Sequence, residues 1–252
     1  MAEEPVFPFE RPVFCFIGSR QQDRIIERMA PMQYHENSKR KEPIRSMEKE
    51  PFGCAECHAK SCHLGDGNYP SFCPGKTLSE ELVRDAMKEY EDPYVRRIAL
   101  AAAETESENY CRMTRAAEIV EFARKIGAER IGLAHCVGLL AEAGIIARIL
   151  RKNGFEVVSV SCKCGEQKKA DIGIGEACHN TGVNICNPIL QARYLNEKHT
   201  DLNVLIGLCV GHDSLFYKYS DALVTTLVAK DRVMAHNTAG ALYQADKYLH
   251  LI

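Results

Sequence analysis

The chain has 252 residues, 46% hydrophobic and 26% charged, which suits one large soluble domain or a domain with a small appendage. A formal net charge of -2 gives no electrostatic reason to expect a nucleic acid or an anionic membrane as partner. No apolar run approaches the roughly 18–20 residues of a membrane-spanning helix.

The first fourteen residues, "MAEEPVFPFERPVF", show no basic region followed by an apolar one, so a cytoplasmic protein without a secretory leader is expected. Residues 1–50 form an extension or linker. They hold a short apolar piece, a helical "RQQDRIIERM" and the polar, aperiodic "HENSKRKEPIRSMEKEP". Residues 51–76 follow as a cysteine-rich loop, too irregular for helix or strand. Residues 77–252 then make an α/β domain.

In that domain "TLSEELVRDAMKEYED" has a Thr or Ser for its N-cap and acids in its first turn. "PYVRRIALAAAETESENY" and "TRAAEIVEFARKIG" continue the helical spacing, the latter with Gly127 as C-cap. The chain then alternates. "RIGLAHC" reads as a buried strand, "LLAEAGIIARILRKNG" as a helix and "FEVVSVSCKCG" as the next strand. After a Gly-rich loop come the helix "NPILQARYLNEKH", the strand "LNVLIGLC", the short helix "SLFYKYS", the strand "ALVTTLVAK" and a final helix "TAGALYQADKYL". Apolar strands alternating with helices predict a mostly parallel, doubly wound sheet with helices on both faces and right-handed crossovers.

Twelve cysteines and no tryptophan set the functional question. In a cytoplasmic chain of this length, clustered cysteines point to metal or redox chemistry more than to a disulfide framework. The first cluster is Cys54, Cys57, Cys62 and Cys73, spaced C-x2-C-x4-C-x10-C. A C-x2-C turn brings two thiolates together, and two more from the same loop can complete a tetrahedral set for zinc or an iron–sulfur cluster. The Cys73-Pro74 step resembles the Cys-Pro endings of ferredoxin-type runs, and a 4Fe-4S cluster is favoured over zinc. His58 and His63 are alternative ligands for zinc. The bland alternative is four free thiols, or two disulfides, in a loop.

A second set lies at strand ends. Cys136, the pair Cys162 and Cys164, and Cys209 close three of the predicted strands, and Cys186 directly precedes a helix. Open parallel sheets bind ligands outside the carboxyl ends of their strands, beside the topological switch point. Singly, each cysteine could be a packing residue. Together they predict a pocket in which Cys136, Cys164, Cys186 and Cys209 hold a second cluster or form a reactive thiol set. Gly138, Gly165 and Gly211 follow closely and leave main-chain amides free to donate. Cys15, Cys111 and Cys178 lack this placement and read as core or surface residues.

His212 and Asp213 follow the Cys209 strand end and are, with Cys209, the catalytic candidates, a histidine near neutral pH suiting acid–base work. Lys163, Lys168, Lys169, Lys230 and Arg232 line the same loops, as a pocket for an anionic substrate or as a solvated rim. No Walker loop, G-x-G-x-x-G or H-E-x-x-H occurs, so nucleotide-dependent and zincin readings gain no support. The favoured expectation is an iron–sulfur protein carrying out redox or sulfur-related chemistry on a small molecule or with an electron-transfer partner. The alternatives are a non-catalytic zinc protein and a thiol-based metal or redox sensor. The helix-rich "ALAAAETES" is a candidate dimer surface.

The runs "CAEC…C…CP" at 54–74, "GLAHCVGLLAEA" at 132–143, "SVSCKCG" at 159–165, "CNPILQA" at 186–192, "TDLNVLIGLCVGHDSLF" at 200–216 and "KDRVMAHNTAGALY" at 230–243 resemble domain-of-unknown-function family 1847. The resemblance spans roughly residues 52–250. Members of that bacterial and archaeal family are described as metal-binding, so it implies a cysteine-bound metal near the N-terminus and assigns no activity.

Overall fold

The protein is described here by a computed structural model covering residues 53–245. The chain divides into two compact units, Met1–Thr77 and Leu78–Ile252. The expected extension over residues 1–50 lies outside the described residues.

In the first unit the cysteine loop carries more order than its composition predicts. A 3-10 turn, Cys54–Glu56, is closed by the Cys57 N–H on the Cys54 carbonyl at 3.2 Å. One turn of helix, α1 (Ser61–Leu64), sits between left-handed Lys60 and Gly65. The Ser61 hydroxyl donates to the Asn68 carbonyl at 2.8 Å, and a second 3-10 turn, Pro74–Lys76, follows Cys73. Elements this short have no hydrophobic period, so side-chain caps and turn residues alone specify them.

The second unit opens with α2 (Glu80–Lys88), α3 (Pro93–Glu108) and α4 (Arg115–Lys125). Each starts where a short oxygen-bearing side chain accepts first-turn N–H groups: Ser79, Asp92 and Thr114. The alternating part follows as β1 (Arg130–His135), α5 (Leu140–Lys152), β2 (Glu156–Ser161), α6 (Pro188–Glu197), β3 (Leu202–Ile206), α7 (His212–Tyr219), β4 (Leu223–Val228) and α8 (Thr238–Leu242).

All four strands are parallel, in the order β2-β1-β3-β4. The fold is therefore α/β with the doubly wound sheet that the alternation predicts. The crossover from β1 to β2 runs toward one edge, and the chain then returns across β1 to lay down β3 and β4. With right-handed crossovers, that reversal puts α5 on one face and α6 with α7 on the other. Accordingly α5 rests on β1 and β2, whereas α6 packs on those strands from the α7 side. On the other face the Arg115 side chain ties α4 to β4 through the Thr226 carbonyl and the Thr225 hydroxyl.

Central strands β1 and β3 are buried almost throughout, and edge strands β2 and β4 only in part. Leu133, Leu150, Leu195, Val204, Ile206 and Phe216 are fully enclosed. Among polar side chains Asn203 is, like Gln191, enclosed with them. It accepts from Thr200 and donates to Ser220, both at 2.8 Å, which satisfies it without water. Gly132 makes room for it on the adjacent strand: a Cβ there would lie 2.0 Å from the Asn203 Oδ1.

Candidate functional site at the switch point

The sheet reverses its winding between β1 and β3, so the loops after these two strands leave toward opposite faces and open a crevice at their carboxyl ends. Those loops carry the repeated Cys-Val-Gly, Cys136–Gly138 and Cys209–Gly211.

Strand register fixes the first pair of sulfurs. His135 of β1 lies opposite Ser161 of β2, so Cys136 and Cys162 are the next two residues on neighbouring strands. The pair is anchored by the Cys136 N–H on the Ile206 carbonyl at 3.0 Å and the Cys162 N–H on the His135 carbonyl at 2.9 Å. Both are buried. Cys186 joins from the start of α6. Its neighbour Asn187 donates its N–H to the Cys162 carbonyl at 2.7 Å, and the Asn187 side chain caps Leu190 N–H at 2.9 Å.

The result is a group of three thiols in which Cys162 acts on both Cys136 and Cys186. The turn after β1 supplies two further donors. Gly138 N–H points at the Cys136 sulfur and Val137 N–H at the Cys162 sulfur, each at 3.4 Å. Cys136 thus takes the N-cap role usual for a Ser or Asp oxygen, and successive amides form a small anion-holding concavity. Lys230 adds its ammonium 3.5 Å from the Cys136 sulfur.

These donors divide the protons unequally. Hydrogen bonding from Cys162, then the Gly138 amide and Lys230, outweighs burial and brings Cys136 down to about 5. Cys186 falls to about 6, chiefly through the Cys162 hydrogen bond, with the charges of Lys163 and His212 adding to it. Cys162, between two thiolates and partly desolvated, is pushed strongly up and keeps its proton. A thiol that keeps its proton between two thiolates is the electrostatic core of the site.

Cys209 stands half-buried beside this core, with the Arg232 guanidinium 3.2 Å from its sulfur. That sulfur is the main reason the Arg232 charge is reinforced, and Cys136 and Cys186 act on the same guanidinium, so these three sulfurs share one field. Gly207 lets β3 reach this point. It adopts φ +64°, and a Cβ there would fall 1.9 Å from Leu139 Cδ1.

Of the cysteines assigned to the pocket from sequence, Cys136, Cys186 and Cys209 meet there. Cys164 is exposed on the next turn, and Cys162 occupies the place given to it. The signal was available: period-two alternation puts Val158, Val160 and Cys162 on one face of β2, opposite Gly132, Ala134 and Cys136 of β1. Lys230 and Arg232, read as rim residues, contact sulfur directly. His212 starts α7, half-buried, with its N–H on the Cys209 carbonyl at 2.9 Å. Asp213 turns its Oδ1 to the N–H groups of Gly211 and Ser214, at 3.0 and 2.8 Å, a role internal to its own turn. Cys111 and Cys178 are exposed, and Cys15 lies outside the described residues.

In the first unit Cys54 and Cys62 are exposed, Cys57 and Cys73 half-buried, and all four are free thiols. Their donor chemistry suits a soft metal. Among the described residues no three His, Cys, Asp or Glu side chains are grouped so as to hold a metal ion, neither in this loop nor in the strand-end set of Cys136, Cys164, Cys186 and Cys209. Among the same residues no helix is long and apolar enough to cross a membrane.

Residues 73–227 match the family described as a protein of unknown function, DUF1847. An uncharacterised protein of Methanocaldococcus jannaschii is 43% identical over 197 residues, which cover 75% of this chain and 93% of that one. The chain belongs to this family. The match takes in the strand-end cysteines at 136, 162, 186 and 209, and begins after Cys54, Cys57 and Cys62. The family thus shares the stretch that builds the sheet and its thiol cluster.

Proposed function

We propose that the protein carries out thiol-based redox or sulfur chemistry on a small molecule at the switch point of its sheet, in a reducing cytoplasmic setting. The observation that carries this reading is the placement of Cys136 and Cys162 side by side after neighbouring strands, with main-chain N–H groups and Lys230 directed at their sulfurs. A packing cysteine needs no such donors. A nucleophilic thiolate does, together with a neighbouring thiol that can resolve a disulfide. Cys136 and Cys162 follow strands spaced about 4.7–4.9 Å apart, inside the Cα separation a disulfide requires. His212 stands close enough to act on Cys186 and is the acid–base candidate.

The test is limited oxidation of the fully reduced protein with substoichiometric diamide, followed by disulfide mapping. The reading expects Cys162 bonded to Cys136 or Cys186 before any other pair. Oxidation beginning among Cys111, Cys164 and Cys178 would oppose it.

A metal in the first unit is a second proposal, favoured by four free thiols within one short loop. Iron–sulfur or zinc ligation there would draw Cys54, Cys57, Cys62 and Cys73 together from their present positions, and the thiol chemistry above does not depend on it. Iron, zinc and labile-sulfide analysis of anaerobically prepared protein, repeated on Cys57→Ala and Cys209→Ala, reads it directly. Metal lost only in Cys57→Ala places it in the first unit.

A further inference from the structure

The thiol site gathers cations that no carboxylate neutralises. Lys230 lies 3.5 Å from the Cys136 sulfur and Arg232 lies 3.2 Å from the Cys209 sulfur. Lys163 donates to the Asn184 carbonyl at 2.6 Å while its charge acts on Cys186. None of the three makes an ion pair with an acid among the described residues. Two acids near the site in sequence face elsewhere. Asp213 holds the turn before α7, and Asp231 accepts from the N–H groups of Val233 and Met234 at 3.0 and 2.9 Å. Arg232 is exposed, and Lys230, Lys163, Cys186 and Cys209 are half-buried, so the charged rim faces solvent while Cys162 is sealed beneath it.

Two chemical requirements meet at this rim. Unpaired ammonium and guanidinium groups select an anion, and the guanidinium fork suits an oxyanion best. A thiolate selects a soft electrophilic atom with a leaving group that can carry charge away. We propose that the site takes a small anion bearing a sulfane sulfur, with Arg232 and Lys230 holding its oxyanion end and Cys186 accepting the sulfur. The inference rests on the thiol reading above and names the substrate class for it.

With thiosulfate as the simplest such anion, the step balances without an outside oxidant. The Cys186 thiolate attacks the outer sulfur and forms a new S–S bond. The S–S bond of thiosulfate breaks, and its electron pair leaves with sulfite. The charge of the thiolate passes to the terminal sulfur of a cysteine persulfide and the two charges of thiosulfate to sulfite, with no proton gained or lost. Arg232 and Lys230 screen the repulsion between the incoming dianion and the thiolates, and they hold its sulfonate equally before and during the transfer.

The experiment uses reduced full-length protein under anaerobic conditions with sodium thiosulfate, reading released sulfite and the peptide that carries one added sulfur atom. The expected result is stoichiometric sulfite and a persulfide on Cys186, absent in Cys186→Ser and retained in Cys111→Ser. In Arg232→Ala and Lys230→Met the thiosulfate concentration for half-maximal rate rises by roughly tenfold to a hundredfold, while the saturating rate changes little. A merely structural role for the two cations would lower the saturating rate instead. Iodoacetamide labelling of Cys136 and Cys186 in the same samples reads the thiol site by itself. Ready labelling at pH 6 without sulfite or persulfide would overturn the substrate class and leave the thiol reading standing. Failure of both would overturn both. Sulfur appearing equally on Cys111 or Cys178 would also refute the proposal.

Discussion

Replacing Cys162 with Ala removes the thiol that is, for both Cys136 and Cys186, the first cause of a lowered pKa. A hydrogen bond to a charged group is worth about 1.5–3 kcal/mol. At about 1.4 kcal/mol per pH unit, and with one S–H proton divided between two acceptors, its loss raises each thiolate by at most roughly one to two pH units. Cys186, now at about 6, then titrates at up to about 7–8. The assay is the pH dependence of alkylation by iodoacetamide, resolved by peptide mass spectrometry so that the midpoint of each cysteine is read separately. Cys162→Ser keeps a hydroxyl donor in place and returns both midpoints most of the way. Wild-type midpoints in Cys162→Ala would refute the shared-proton account, because Lys230, Lys163 and the Gly138 amide would then suffice. Equal upward shifts in the Ala and Ser variants would show that the substitution acts through packing.

Folding stability should depend on pH with a definite sign. The thiolates of Cys136 and Cys186 titrate at about 5 and about 6 in the folded protein and in the ordinary thiol range near 8.5 when unfolded. Between those limits the unfolded chain binds more protons, so urea stability rises from pH 5 toward pH 8.5, and the rise is lost in Cys136→Ala/Cys186→Ala. Gly207→Ala places a Cβ against Leu139 at a backbone of positive φ, and should lower stability by roughly 1–3 kcal/mol in thermal unfolding with the Cys136 midpoint disturbed as well. Lys230→Met removes a charge that acts on Cys136 and not on Cys186, so only the Cys136 midpoint moves up.

The sheet was legible because its strands are short apolar runs between amphipathic helices, and the caps at Ser79, Asp92 and Thr114 are local in sequence. Periodicity does not carry strand order. That β3 lies beside β1 decides that Cys136 and Cys209 flank one crevice, and it is a long-range property of the folded chain. Cys162 and Cys164 share one parity, so the choice between them turned on where β2 ends: the strand stops at Ser161 and the chain turns, leaving Cys162 buried and Cys164 exposed. Lys230 and Arg232 looked like an ordinary solvated loop, because nothing local in "KDR" shows that it returns to cysteines 94 and 23 residues earlier. The helical turn Ser61–Leu64 was invisible for the opposite reason, being shorter than any hydrophobic period.

The most direct test of the thiol cluster is brief iodoacetamide labelling of reduced wild-type protein at pH 6, with every cysteine peptide quantified. The structure predicts that half-buried Cys186 labels ahead of exposed Cys111, Cys164 and Cys178, and that Cys162 remains unlabelled. Labelling that simply follows exposure, with the cluster last, would contradict a working thiolate site and leave these cysteines as packing residues.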